Sequence, residues 1–261
     1  VGAEKREYVS INDIPKNIIE AVLTTEDSRF QSHIGIDPIR LIKAVLVNIR
    51  SNSAQQGAST ITQQVVKNSL LTSDKSLQRK IQEAYLSLKL ENRYTKDDIM
   101  EMYMNKIYYS DGQYGVKTAA KYFYNKELDQ LTLPQVALLT GMPQQPILYN
   151  PYDYPEQAKE RRDTVLYALL SNDKITEDEY NNAVNTPITD GIVKKTKEER
   201  ANQHSYNPKF AAYIDQITKE LKENQNFENI KDPLSMGLKI YTNLNSELQI
   251  YVQDMLDNQS A

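Results

Sequence analysis

Apolar residues recur with the period of an α-helix along most of this 261-residue chain, and that pattern limits the folds open to it. The periodic stretches are separated by proline, glycine and Ser/Thr/Asp residues of the kinds that begin and end helices. Glycine is scarce, at 8 residues, which also favours helix. The pattern predicts helices over 11–29 (starting after Pro15), 59–71, 75–94, 95–104, 115–124, 133–140, 155–170, 176–185, 209–224 and 246–256.

Two segments depart from the helical pattern. Residues 237–243 (GLKIYTN) alternate polar and apolar like a short strand. Residues 187–204 are polar, which predicts a loop and marks a module boundary. A chain of this length can bury one sizeable core and a small appended unit. The sequence therefore predicts a mainly α fold with a short β segment near the C-terminus.

Composition excludes several kinds of site. The absence of cysteine rules out disulfides, zinc–thiolate sites and a cysteine nucleophile. The two histidines, His33 and His204, are too few and too far apart for a histidine-rich metal site. No apolar run reaches the roughly 18 residues of a membrane-spanning helix, and no signal peptide is visible. We expect any membrane anchor to lie upstream of this sequence.

Positive charge is concentrated in one part of an acidic chain. Residues 33–96 contain ten Lys and Arg against four Asp and Glu, although the net charge of the chain is −4. A basic segment in an acidic protein indicates a localised anionic ligand. Nucleic acid, a phosphorylated lipid and an anionic membrane surface all fit this pattern.

A carboxylate pair stands at the end of the first predicted helix, in TTEDSRFQSHIGID. If the helix continued past Glu26, Phe30 and His33 would lie on the same face as its carboxylate. A carboxylate beside an aromatic ring is partly desolvated, which suits general acid–base catalysis. The simpler interpretation is a solvated acidic pair at a helix end, and Glu26 and Asp27 alone favour it.

The segment GASTITQQVVK predicts a two-sided helix with a polar face. That face carries Thr60, Gln63, Gln64 and Lys67, whereas Ile61 and Val65 fall on another side. Backbone N–H groups near Ser59, before the helix, can receive an oxyanion. The alternative is an ordinary Ser-Thr cap with surface glutamines. The lysine has no acidic neighbour on its face, which favours a ligand.

The segment SLQRKIQEAYLSLKLE combines an apolar stripe with charged residues. Arg79 and Glu83 are spaced i, i+4, in the less favourable order for a surface ion pair. With Lys80 they suggest an anion subsite, although the ion-pair interpretation stays open. The stripe is spaced for burial and comprises Leu77, Ile81, Ala84, Tyr85 and Leu88.

These segments are the first three of five motifs that occur in a fixed order. The motifs are Glu26-Asp27-x-x-Phe30-x-x-His33-x-Gly35, Gly57-x-Ser59-Thr60-x-x-Gln63-Gln64, Arg79-Lys80-x-x-Glu83, Lys96-x-x-Ile99-x-x-x-Tyr103-x-Asn105 and Arg161-Arg162-x-x-Val165-Leu166. Together, over residues 10–185, they resemble the peptidoglycan glycosyltransferases of family 51. That family comprises the N-terminal half of class A penicillin-binding proteins and the monofunctional cell-wall glycosyltransferases.

The resemblance implies a lysozyme-like two-lobe fold and the polymerisation of lipid II into glycan strands. It makes Glu26 the base that deprotonates the 4-hydroxyl of the acceptor sugar while undecaprenyl pyrophosphate departs. Lys67 and Arg79, with Lys80 and Lys75 in support, would stabilise the leaving pyrophosphate. Glu83 would be a second essential carboxylate, placing the phosphate-binding cations or the acceptor.

The resemblance also implies the residues and ligands of the cleft. The cleft-lining residues would be Asp27, Phe30, His33, Ser59, Thr60, Gln63, Gln64, Asn68, Asn105 and Asn150. No cofactor would be required; some members of the family respond to a divalent cation, but no residue here dictates a metal site. Partners would be lipid II, the growing glycan strand and the inhibitor moenomycin, and not nucleic acid.

The stretch from Pro38 to Arg50 (PIRLIKAVLVNIR) is apolar with cationic residues. The resemblance places it in a small lobe that dips into the bilayer, although a buried helix also fits the pattern. The catalytic domain would then act on the outer face of the bacterial plasma membrane. We expect residues 1–200 to form the glycosyltransferase domain. Residues 201–261 would begin a linker towards a transpeptidase domain outside this sequence.

Two other functions compete with polymerisation. A lytic transglycosylase of the same fold would use Glu26 as an acid and would not need the cationic face with Lys67 and Arg79. A non-catalytic scaffold would bind lipid pyrophosphate without turnover.

Overall fold

The structure, a computed structural model, describes residues 5–41, 59–70, 76–202, 210–223 and 242–259. The helices there are α1 (Lys16–Glu26), α2 (Ile61–Leu70), α3 (Leu77–Arg93), α4 (Lys96–Lys106), α5 (Val116–Tyr124), α6 (Leu133–Gly141), α7 (Pro155–Ser171), α8 (Glu177–Asn185), α9 (Lys197–Asn202), α10 (Ala211–Glu223) and α11 (Ser246–Gln259). Residues 38–41 are also helical. Single turns of 3₁₀-helix occupy Ile11–Asp13, Phe30–Ser32, Leu128–Gln130 and Met142–Gln144, and the strands are β1 (Lys5–Arg6) and β2 (Gln113–Tyr114). The predicted mainly α fold class is confirmed.

The chain divides into two compact units. One unit is Arg6–Val193, and the other contains α9, α10 and α11. The assignment of residues 1–200 to a catalytic domain and 201–261 to a linker stays a prediction, as does the lysozyme-like two-lobe arrangement. Most of the predicted strand at 237–243 lies outside the described residues.

Helix α6 lies at the centre of the Arg6–Val193 unit. All of its residues from Gln135 to Gly141 are buried, as expected for a helix that is apolar on nearly every side. It packs against α1, α7 and α8. This packing brings the last turn of α6 close to the end of α1, which carries Glu26.

Helix α2 packs against α3 and α4. Ile61 and Val65 are buried in the core, whereas Lys67 is exposed. The predicted two-sided character of this helix is therefore observed.

The predicted burial of the apolar stripe on α3 is wrong for three residues. Leu77, Ile81 and Tyr85 are 79%, 62% and 55% exposed. The face that α3 buries instead carries Glu83 and Ser87. Its backbone at Ser87 lies so close to Gly35 that a Cβ there would be 2.7 Å from the Ser87 carbonyl oxygen. The polar face of α3 thus meets the loop after α1, and the stripe faces outward.

Two further boundaries differ from prediction. Helix α1 begins after Pro15, as predicted, but ends at Glu26, before the predicted end at residue 29. The predicted loop at 187–204 contains α9. There Thr196 donates its backbone N–H to the Glu199 carboxylate and accepts the Glu199 N–H on its hydroxyl, which is a capping box. The charged composition of the segment concealed this helix start.

Candidate functional site

A cavity of about 440 Å³ opens in the Arg6–Val193 unit, at the end of α1. We call it the Glu26 cavity. The described residues that line it are Thr25, Glu26, Arg40, Ser59, Gln63, Gln64, Lys67, Glu83, Pro143, Gln144 and Arg161. The predicted site residues among them are Glu26, Ser59, Gln63, Gln64, Lys67 and Glu83. Predicted site residues from the first three motifs therefore converge on one space, together with Arg161 of the fifth motif.

Glu26 is the last residue of α1, and its carboxylate is held from two sides. One oxygen, Oε2, accepts a hydrogen bond from Gln64 Nε2 at 3.1 Å. The other, Oε1, lies 3.5 Å from Nη2 of Arg161. The Glu26 side chain is only 12% exposed. It is thus a well-oriented carboxylate at the wall of a cavity.

Asp27 lies behind the cavity rather than in its wall. Its side chain is fully buried, and Oδ2 accepts from His33 Nε2 and from the backbone N–H of Ile61, each at 2.9 Å. Ile61 begins α2. The Asp27 carboxylate therefore ties the end of α1 to the start of the helix that carries Gln64.

His33 supports Asp27 and does not line the cavity. Its Nδ1 accepts the backbone N–H of Gly35 at 3.0 Å, so the ring proton belongs on Nε2, which donates to Asp27. Phe30 is buried and packs edge-on to the imidazole, with ring centres 5.8 Å apart. Because residues 30–32 form a 3₁₀ turn, Phe30 and His33 do not continue the face of α1.

Lys96 joins this support from α4. Its ammonium lies 4.5 Å from the centre of the Phe30 ring and donates to the His33 carbonyl and to Glu91, each at 2.7 Å. Thr62 Oγ1 also donates to Glu91, at 2.6 Å. Residues of the first, second and fourth motifs are thereby linked behind the cavity.

Glu83 is a buried carboxylate flanked by two cations. Lys80 donates to Glu83 Oε1 and, at 3.0 Å, to the Ser59 hydroxyl. Arg79 Nη1 lies 3.8 Å from Glu83 Oε2. Among the described residues, neither Glu83 Oε2 nor Arg79 Nε has a hydrogen-bond partner. Buried groups of this kind have capacity for a ligand or water.

Thr60 and Gln63 cap α2. The Thr60 N–H donates to Gln63 Oε1 at 3.0 Å, and the Gln63 N–H donates to Thr60 Oγ1 at 3.1 Å. Thr60 Oγ1 also donates to the Gly35 carbonyl at 2.7 Å. The cap interpretation thus describes Thr60, whereas Gln63 also reaches the cavity wall.

Two predicted cleft residues hold other parts of the chain. Asn105 accepts the Val9 N–H and donates to the Val9 carbonyl, both at 2.8 Å. Asn150 donates to Ser110 Oγ and to Asp111 Oδ1, both at 3.1 Å. Neither lines the Glu26 cavity.

Asn68 and Lys75 complete the set of predicted site residues. Asn68 is exposed on α2 but does not belong to the cavity wall. Lys75 lies outside the described residues.

Sequence reasoning missed five lining residues, namely Thr25, Arg40, Pro143, Gln144 and Arg161. Arg161 belongs to the fifth motif, but its spacing gives no sign that it faces Glu26. Arg162, beside it, is buried and donates to the carbonyls of Val184 and Thr186. Adjacency in sequence could not tell which arginine serves the cavity.

Two tyrosines behind the cavity stay protonated. Burial, followed by the nearby charge of Glu26, raises the pKa of Tyr103 well above its usual value and raises that of Tyr109. Neither phenol can therefore act as a base at neutral pH. Within the described part of the chain, no group of three or more Asp, Glu or His side chains is placed to hold a metal ion.

Known proteins are similar to this chain along its whole length. A family model described as Transglycosylase matches residues 1–170. Penicillin-binding protein 1A/1B of Bacillus subtilis (strain 168) is 43% identical, over 100% of this chain and 28% of that protein. Penicillin-binding protein 1A of Streptococcus oralis is 42% identical, over 98% of this chain and 39% of that protein. Penicillin-binding protein 1A of Aquifex aeolicus (strain VF5) is 40% identical, over 98% of this chain and 33% of that protein.

The chain thus spans between 28% and 39% of the length of these relatives. Every described residue that lines the Glu26 cavity, and each of the five motifs, falls within the part matched by the family model. The predicted resemblance is confirmed: the chain belongs to the Transglycosylase family, as the glycosyltransferase module of a class A penicillin-binding protein.

Proposed function

We propose that this chain polymerises lipid II into glycan strands, with Glu26 as the general base. The observation that carries the proposal is an oriented Glu26 carboxylate in the wall of a cavity that also presents Lys67 and Glu83. A carboxylate within reach of a sugar hydroxyl can accept its proton as the oxygen attacks. The acceptor 4-oxygen then bonds to the anomeric carbon of the growing chain, and the bond to undecaprenyl pyrophosphate breaks.

The leaving pyrophosphate takes up negative charge and needs no proton. It requires cations and N–H donors placed where that charge develops. We assign this role to Lys67, Arg79 and Lys80. Glu83 holds the last two in position, since it contacts both. Among the described residues, Glu83 Oε2 and Arg79 Nε form no hydrogen bond, which leaves both for polar contacts with the substrate.

The composition of the cavity favours transfer over hydrolysis. A glycoside hydrolase needs one carboxyl group to protonate the leaving oxygen and a second on the other side of the bond. Glu83, the second carboxylate of this cavity, lies between Lys80 and Arg79 and is suited to holding cations rather than donating a proton. A lytic transglycosylase would use Glu26 as an acid, but its leaving group is an uncharged sugar hydroxyl, which gives the cations of this wall no developing charge to stabilise.

We further propose that the outward face of α3 meets the bilayer, with Leu77, Ile81 and Tyr85 in the membrane interface. Ile39 and Leu41, at the start of the predicted membrane segment, are 45% and 50% exposed, and we assign them to the same interface. The rest of that segment, residues 42–50, lies outside the described residues. An apolar stripe flanked by cations suits an anionic bilayer surface. Within the described residues, no helix combines the length and apolar character that a bilayer crossing requires.

The proposal also locates the domain on the outer face of the plasma membrane. The inhibitor moenomycin would bind there, in the Glu26 cavity.

The test of the catalytic proposal is the reaction of the purified chain with lipid II. We expect glycan polymer from the wild type, and a kcat about 10²- to 10⁴-fold lower for Glu26→Gln, since that is the usual contribution of a general base. Glu20→Gln is the matched control, because Glu20 is exposed on the same helix; its rate should be unchanged. Shortening of preformed glycan without polymer would identify a lytic enzyme, and binding without turnover would identify a scaffold.

A further inference from the structure

Arg161 is the residue through which α7 reaches the described wall of the Glu26 cavity. Its side chain is 12% exposed and contacts three separate parts of the unit. Nε donates to the carbonyl of Gly141, at the end of α6, at 3.0 Å. Nη2 lies 3.5 Å from Glu26 Oε1, and the guanidinium carbon is 5.8 Å from the centre of the Tyr149 ring. These contacts fix the guanidinium beside the carboxylate.

Gly141 makes this position of Arg161 possible. A Cβ on residue 141 would lie 2.9 Å from Arg161 Cγ, 3.4 Å from its Nε and 3.2 Å from Val165 Cγ2. The backbone of Gly141 is right-handed helical, with φ −79° and ψ −30°, so any residue could adopt it. A glycine in a helix costs about 1 kcal/mol relative to alanine. Residue 141 is therefore glycine because the aliphatic part of the Arg161 side chain occupies the space of a Cβ, and not because of its backbone conformation.

The Glu26 carboxylate is therefore held between two helices. Gln64 of α2 donates to Oε2 at 3.1 Å, and Arg161 of α7 faces Oε1. Arg161 Nη2 lies farther from Oε1 than Gln64 Nε2 lies from Oε2, so the contact with Arg161 is weaker than a bidentate pair of hydrogen bonds would be. Such a contact orients the carboxylate and leaves an oxygen lone pair for an incoming hydroxyl.

We propose that Arg161 is a positioning residue that aims the Glu26 carboxylate into the cavity, and that Gly141 is required because it makes room for Arg161. This inference rests on the proposed function of Glu26 as a base. It assigns to the two arginines of the fifth motif different tasks. Arg161 acts on the site, whereas Arg162 ties α7 to the carbonyls of Val184 and Thr186.

Steady-state kinetics with lipid II test the positioning role. Arg161→Ala should lower kcat about 10- to 100-fold with KM changed less than about twofold, because misplacing a reacting group affects the transition state. Arg161→Lys should recover part of the loss. Lys159→Gln is the control, since Lys159 is on the same helix but pairs with Asp163 at the surface. Equal losses in kcat for Arg161→Ala and Arg161→Lys together with a raised KM would overturn the proposal.

Gly141→Ala probes the same contact without changing any charge. We expect it to lower kcat about tenfold in the wild-type background, through displacement of Arg161. Added to Arg161→Ala, it should cost little more, because the closest contact, Arg161 Cγ at 2.9 Å, is then gone and only Val165 Cγ2, at 3.2 Å, must shift slightly. A full additional loss in that background would show that Gly141 acts independently of Arg161.

A thermal-unfolding cycle separates failure of this inference from failure of the proposed function. Arg161→Gln should lower Tm more in the wild-type background than in Glu26→Gln, because only the wild type leaves a carboxylate without its cation. Equal shifts in both backgrounds would overturn the contact itself. If the contact is found but the wild type makes no polymer, the proposed function fails while the pairing of Arg161 with Glu26 stands.

Discussion

At the scale of single residues, Asp27 joins elements of the fold and does not line the Glu26 cavity. Its buried Oδ2 accepts from both His33 and Ile61. Asp27→Asn can keep both hydrogen bonds through its amide oxygen, but its NH₂ group would then face Arg40 Nη1, which lies 3.6 Å from Asp27 Oδ1. We expect a loss of about 1–3 kcal/mol in the free energy of unfolding, measured by urea titration, because the two hydrogen bonds lose their charged acceptor and a buried N–H donor faces the Arg40 guanidinium. A fall in kcat should accompany it, since α2 carries Gln64.

Asp97→Asn provides the control for this prediction. Asp97 is exposed in the first turn of α4, and its replacement should change stability by less than about 0.5 kcal/mol. If Asp27→Asn were as stable as wild type but failed to bind lipid II, Asp27 would belong in the cleft, as the family resemblance implied.

The sequence indicated which residues belong to the motifs, but it did not indicate which of their side chains point into the cavity. Spacing placed Gln63, Gln64 and Lys67 on one face of a helix, and all three line the cavity. Asp27 and His33 come from an equally specific motif and lie behind it. The difference arises because α1 ends at Glu26. After that point the chain direction depends on tertiary hydrogen bonds, which a periodic pattern does not encode.

At the scale of elements, α3 shows why periodicity alone misjudges burial. Its apolar stripe has the spacing of a core face, yet the interior receives Glu83 and Ser87. A hydrophobic pattern reports that a face avoids water, and it does not distinguish a protein interior from a lipid surface. The capped start of α9 was missed for a different reason, because a highly charged turn resembles a loop.

The exposed stripe on α3 leads to a binding prediction. Replacing Leu77, Ile81 and Tyr85 with serine should reduce flotation with anionic liposomes by about tenfold or more, because partial burial of each side chain contributes about 1 kcal/mol. The control replaces the exposed Gln78 and Gln82 of the same helix with serine, which should leave flotation unchanged. Equal flotation of the two variants would mean that α3 does not face the bilayer.

At the scale of the whole Arg6–Val193 unit, the charged and polar motif residues separate into a cavity and the framework behind it. The first three motifs supply the cavity wall through residues such as Glu26, Gln64 and Glu83, and Arg161 adds one contact from the fifth. Lys96 of the fourth motif supports the loop after α1. Membership of an ordered motif set therefore indicates a shared fold, and only geometry tells which members meet the substrate.

Asn105 can be used to test whether a motif residue belongs to the framework and not to the cavity. Its side chain accepts the Val9 N–H and donates to the Val9 and Glu101 carbonyls, joining the N-terminal segment to α4. Asn105→Ala should lower the free energy of unfolding by about 2–3 kcal/mol, because buried backbone groups of Val9 lose their partners. The exposed Asn92→Ala serves as control. Below its Tm the Asn105 variant should keep the wild-type KM for lipid II and the wild-type affinity for moenomycin. A stable variant with weakened moenomycin binding would instead show that Asn105 belongs to the cleft, as the family resemblance implied.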